Sequence, residues 1–115
     1  MKWLLVLISL FIVGCVSPPL PEFYSVDTWQ SYGQDRAEQG QTFQSQDKLV
    51  SLSAPKPFTE EMFQAYQVGY QEGKQNYCSQ NAYVLGLIGK PYHGICDDIN
   101  PFFQNDYANG RLNFF

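Results

Sequence analysis

Histidine is almost missing from this chain, and lysine and arginine together number only seven in 115 residues. A lone imidazole, His93, cannot supply the paired histidines that many zinc sites use. Seven basic residues against eleven acidic ones form no positive surface for phosphate backbones or anionic headgroups, so nucleic acid is not an expected partner. No apolar run approaches the ~20 residues that a helix needs to cross ~30 Å of hydrocarbon. Phosphate loops, dinucleotide fingerprints, zinc motifs and peptidoglycan-binding signatures are all missing, and no cofactor or metal is expected. Aliphatic residues thin out after position 20, whereas Phe, Trp and Tyr make up 17% of the chain. The expected core therefore rests on Tyr, Phe and Trp, rings whose polar tips stay wet. This length supports one domain and not two, and a core so thin calls for a staple.

What is present begins at the N-terminus, where residues 1–14 have the three-part layout of an export signal. Lys2 supplies the positive end, and Trp3 to Val13 form an apolar run interrupted only by Ser9. Its closing residues, Ile12-Val13-Gly14-Cys15, resemble the lipobox of bacterial lipoproteins. Gly14 admits close approach of a peptidase, and the Cys15 thiol would receive diacylglycerol. The resemblance implies cleavage before Cys15 and two or three acyl chains on it, enough for stable membrane attachment at roughly 0.8 kcal/mol per buried methylene. Val16 stands where Asp commonly marks inner-membrane retention, so the expected location is the outer membrane, facing the periplasm. Residues 15–26, with Pro18, Pro19 and Pro21, read as an extended tether. Residues 27–115 read as one small domain. Loss of Lys2 with the signal leaves the mature chain at a net charge of −5.

Assigning Cys15 to lipid leaves Cys78 and Cys96, an even pair in an oxidising compartment and the expected disulfide. A bridge over a loop of eighteen positions stabilises by about 3 kcal/mol on chain-entropy grounds. The sharper alternative groups Cys78, His93 and Cys96, completed by Asp97 or Asp98, as a metal site. A Cys–His nucleophile pair is the other option, but a bridged sulfur cannot attack.

Three stretches show helical periodicity, which makes the expected fold mainly α, with three helices and a disulfide-closed, Gly-rich loop. The first runs from about Asp27, its expected cap, to Gln41, with Trp29, Gly33, Ala37 and Gly40 on one stripe. A polar connector (42–48) and an apolar patch, Leu49 to Leu52, follow, and Pro55 and Pro57 mark a break. Thr59 is the expected cap of the second helix, with Glu60 and Glu61 in its first turn. Met62, Tyr66, Gly69, Gly73 and Tyr77 line one face of it. Glycine inside a helix costs about 1 kcal/mol relative to alanine, so Gly33 with Ala37, and Gly69 with Gly73, point to two helices crossing on small faces. The third helix is expected from Asn100 as cap and Pro101 as first residue, with Phe103, Tyr107, Gly110 and Phe114 on its stripe. Between the cysteines, Tyr83 to Ile88 reads as a short strand or a turn of helix.

The combination Trp29-x3-Gly33-x6-Gly40, Tyr66-x2-Gly69-x3-Gly73-x3-Tyr77-Cys78 and Leu85-Gly86-x2-Gly89-x2-Tyr92-x-Gly94-x-Cys96 resembles domain-of-unknown-function family 2799, a group of small proteobacterial lipoproteins. The likeness covers roughly residues 27–110. It departs at Arg36-Ala37, where a Gly-containing pair is expected. It implies an envelope lipoprotein and assigns no activity. The expected function is a non-catalytic binding or structural component of the envelope, with the membrane and another envelope protein as partners. Alternatives are a periplasmic hydrolase using Asp97, Asp98 and His93, or a carrier with a pocket lined by Tyr66, Tyr70 and Phe103.

Overall fold

The computed structural model describes residues 25–113. The signal segment, Cys15, the Pro-rich stretch and Phe114 lie outside the described residues. The described chain forms five helices in the order α1 (Val26–Glu38), α2 (Gln46–Ser53), α3 (Glu60–Cys78), α4 (Ala82–Leu87) and α5 (Phe103–Leu112), and no strand. The mainly α expectation holds; the count of three does not. The patch at Leu49 and the segment that begins at Tyr83 belong to helices in their own right.

Caps explain where these helices begin. Ser25, not Asp27, caps α1, its Oγ accepting from Thr28 N at 3.3 Å, while Asp27 sits in the first turn against the dipole. Ser45, Thr59 and Asn81 cap α2, α3 and α4 in the same way. At α5 the expected cap is displaced. Asn100 Oδ1 accepts from Phe102 N at 3.0 Å, closing a turn ahead of the helix, and Phe102 at the cap position makes no side-chain capping bond. Pro101 therefore precedes the helix instead of opening it.

The ends of α1 and α4 share one device. Gly40 (φ 74) donates to Ala37 O while Gln41 donates back to Arg36 O. Gly89 (φ 76) and Lys90 do the same with Gly86 O and Leu85 O. These are Schellman ends, whose left-handed residue carries no penalty when it is glycine.

α1 and α3 cross on their small residues. A Cβ on Gly69 would overlap the Gln30 carbonyl, one on Gly33 the Tyr66 carbonyl, and one on Gly73 the Gln34 carbonyl and the Ala37 methyl. Contacts advance along both helices together, so the two run in the same direction, and the chain must return through α2 to achieve it. A second crossing repeats the relation. Gly86 of α4 faces Tyr107 O and Arg111 N, and Gly110 of α5 faces Tyr83 O and Leu87 N. Gly33, Gly69, Gly86 and Gly110 each sit against the carbonyl three residues before the partner glycine, and Gly73 against the one three before Ala37, so that a Cα–H is directed at an acceptor.

The core divides accordingly. Trp29, Tyr32, Ala37, Leu49, Met62, Ala65, Tyr66 and Tyr70 form one cluster, with Phe58 edge-on to Trp29 at 4.7 Å. Tyr77, Ala82, Leu85, Cys96 and Phe103 form the other. α3, 19 residues and about 28 Å long, contributes to both. The Cys78–Cys96 bond, with Cα atoms 5.6 Å apart, ties the end of α3 into the second cluster.

Candidate functional site

Tyrosine tips, expected to stay wet, are instead spent on loops. Tyr32 OH donates to Gln44 Oε1 (2.8 Å), Tyr70 OH donates to Gln41 O (2.8 Å), and Tyr66 OH accepts from Gln44 N (2.9 Å). Three hydroxyls from two helices thus pin the 41–44 connector. Across the molecule, Tyr77 OH donates to Pro91 O at 3.1 Å and Tyr107 OH donates to Lys90 O. Tyr92 OH donates to Asp97 and accepts from Cys96 N. Buried polar groups need such partners, and here most are backbone groups of otherwise irregular segments, while the Gln44 and Asp97 side chains accept from Tyr32 and Tyr92.

Burial pushes Tyr70 up to about 12, and raises Tyr66 and Tyr77 as well. Tyr92 is raised by burial first and then by its bond to the Asp97 carboxylate. An unfolded tyrosine ionises near 10. Above that pH the unfolded chain loses protons that the folded chain keeps, so unfolding gains. The share of stability that rests on these tyrosines is therefore complete below about pH 10 and drains away as pH rises towards and past about 12. Thermal melts at about pH 8 and about pH 11 are expected to show a clearly lower Tm at the higher pH. Near-ultraviolet tyrosinate absorbance in the folded protein should lag behind that of the unfolded chain.

The pinned connector and the loop before and after Cys96 face each other across α3. Between them lies an open groove of about 570 Å³. Its α3 wall carries Gln67, Tyr70, Gln71 and Lys74; the connector contributes Thr42 and Phe43; the loop contributes His93, Ile95, Asp97 and Asp98. A smaller depression adjoins it, sharing Thr42 and His93 and adding Arg36. Lys74 Nζ lies 2.8 Å from Asp98 Oδ2, joining the loop to α3 beyond the covalent bridge. That lysine holds the Asp98 carboxyl below the usual range, chiefly through the hydrogen bond.

The residues singled out from sequence fall as follows. Gly33, Ala37, Gly69 and Gly73 meet in the first crossing. Cys78 and Cys96 are bonded to each other, which removes both thiolates that the Cys/His metal alternative requires. Among the described residues no group of three or more His, Cys, Asp or Glu side chains is placed to hold a metal. His93, Asp97 and Asp98 do share the groove, but Asp97 is engaged by Tyr92 and Asp98 by Lys74. The pocket expected from Tyr66, Tyr70 and Phe103 does not form. Tyr66 and Phe103 are buried in different clusters, and only Tyr70 reaches the groove. Phe43, Gln67 and Gln71 were not singled out. The signal for the last two was a polar pair at spacing four beside the aromatic stripe of α3.

No helix among the described residues is long and apolar enough to cross a membrane. Fold and groove together define a small helical module of two glycine-crossed lobes. Tyrosine hydroxyls pin its loops, and a disulfide clamps one of them. The chain belongs to the family described as Protein of unknown function (DUF2799), which matches residues 28–112. No curated protein and no solved structure matches it.

Proposed function

We propose that the chain is an envelope lipoprotein, acylated on Cys15 and facing the periplasm from the outer membrane, with a non-catalytic binding or structural role. One observation carries the reading: a charged Lys2, an eleven-residue apolar run and a small residue directly before cysteine fall in order at the N-terminus. The Cys78–Cys96 bond supports it, because such bonds persist outside the reducing cytosol. With acyl chains supplying attachment, the helical domain needs no spanning segment of its own. Binding is favoured over a purely structural role by the groove beside α3. Hydrolysis is disfavoured, since the two carboxylates that would act with His93 are already held by Tyr92 and Lys74.

Intact-mass analysis of the native protein tests this reading. The expected mass begins at Cys15, includes diacylglycerol and a further acyl chain, and rises by two hydrogens on reduction. Cys15→Ser is expected to leave an unacylated chain. A native chain beginning at Met1 without acyl mass contradicts the proposal.

A further inference from the structure

We propose that the groove beside α3 binds an uncharged saccharide, with Phe43 as the stacking platform and Gln67 and Gln71 as the hydrogen-bonding pair. This rests on the binding role proposed above and adds to it a ligand class. Phe43 carries the argument. Its ring centroid lies 5.1 Å from those of Tyr66 and Tyr70 and 6.1 Å from that of Phe63, yet 42% of the residue stays exposed. A phenyl ring packed against three others and still exposed is an apolar surface only partly covered. The backbone carrying it is fixed, since Tyr66 and Tyr70 hold the main chain of residues 44 and 41 on either side, and Tyr32 holds the Gln44 side chain. Binding to such a platform requires little further ordering.

The polar side of the groove suits hydroxyls. Gln67 and Gln71 lie one turn apart on α3 and line the groove, and their amides make no hydrogen bond among the described residues. Each amide both donates and accepts, as a sugar hydroxyl does. Charge points the same way. Lys74 is paired with Asp98, so an anionic ligand finds no free ammonium group on the α3 wall, and the Asp97 carboxylate, already accepting from the Tyr92 hydroxyl, can accept from a sugar hydroxyl as well. A peptide docking by strand addition finds no sheet edge, because the described residues contain no strand. The volume, about 570 Å³, lies within the roughly 300–1,000 Å³ of small-molecule sites.

The test uses the full acylated chain in micelles of a zwitterionic detergent without a sugar headgroup. Saturation-transfer NMR is run with chitotetraose, maltotetraose and an uncharged alanine tetrapeptide as probes. The expected result is binding of one or both oligosaccharides with a Kd of about 1 mM. Phe43→Ala is expected to weaken it about tenfold or more. Gln67→Ala/Gln71→Ala should do the same without moving Tm, since both side chains are exposed. Phe43→Leu, which keeps apolar bulk and loses the ring, should resemble Phe43→Ala. The proposal is overturned if neither oligosaccharide binds at about 10 mM, if binding survives these substitutions unchanged, or if the peptide binds in their place. Acyl mass on the same sample separates the two readings. An acylated chain that ignores sugar overturns this inference alone, whereas an unacylated chain that binds sugar overturns only the anchoring.

Discussion

Gly69→Ala is expected to destabilise the protein by about 3 kcal/mol, against the direction that helix propensity alone predicts. Alanine in a helix interior is worth about 1 kcal/mol over glycine, so in an open helix the substitution would stabilise. Here the added methyl meets the Gln30 carbonyl oxygen inside van der Waals contact, its carbon at 2.7 Å and the Gln30 Cα at 3.1 Å. All three are backbone atoms and cannot rotate aside. Relief requires α1 to move off α3, which loosens the fits at Gly33 and Gly73 too. Overpacking of this kind costs about 1–3 kcal/mol and occasionally more. Because three contact points open together, the upper end applies, with a Tm fall of roughly 12–24 °C for a domain of this size. Gln75→Ala, exposed on the same helix, is the control and should change stability by less than about 0.5 kcal/mol. Thermal melts followed by circular dichroism decide it; a raised Tm for Gly69→Ala would show that the helices do not cross there.

The elements that were legible in sequence are the long ones with both a start signal and a stripe. α3 announces itself through Thr59, the two glutamates and a face running from Met62 to Tyr77. α5 shows its stripe but not its start, because Asn100 finds Phe102 N in a turn before the helix opens. α2 and α4, at 8 and 6 residues, are too short for periodicity to separate helix from strand. Gly86 misleads further. It reads as a helix breaker, yet it is helical because α5 approaches so closely that no side chain fits. Tertiary packing overrides propensity there. The spacing Tyr83-x2-Gly86 and Tyr107-x2-Gly110 repeats Tyr66-x2-Gly69, and that repetition is the trace the second crossing leaves in the sequence. The groove left less. Phe43 sits in a polar connector whose course is set by hydroxyls 12, 22 and 29 positions away, and no local pattern encodes contacts of that range.

Replacing both Cys78 and Cys96 by alanine is expected to cost about 3 kcal/mol through loop-closure entropy, and to cost it unevenly. The first lobe packs Trp29, Tyr32, Tyr66 and Tyr70 against one another and against Leu49 and Met62, with Phe58 and Phe63 at its edge. The second has one large, fully buried ring, Phe103, together with Tyr77, Leu85, Ala82 and the bridge itself, and Cys96 has no exposed surface. Losing the bond removes a core member as well as a tether. Apart from the packing of Tyr77 against Leu85 and Phe103, what still joins α4 and α5 to α3 is the Tyr77 bond to Pro91 and the Lys74–Asp98 pair. The second of these is largely exposed on the aspartate side and worth little. The second lobe should therefore open as a unit while the first stays closed. Amide exchange is expected to rise about a hundredfold across Ala82–Leu87 and Phe103–Leu112, that factor corresponding to about 3 kcal/mol, and far less across Trp29–Ala37 and Met62–Tyr70. Equal acceleration in both lobes would mean that α3 carries cooperativity from end to end. The disulfide would then stabilise the whole domain instead of one wall of the groove.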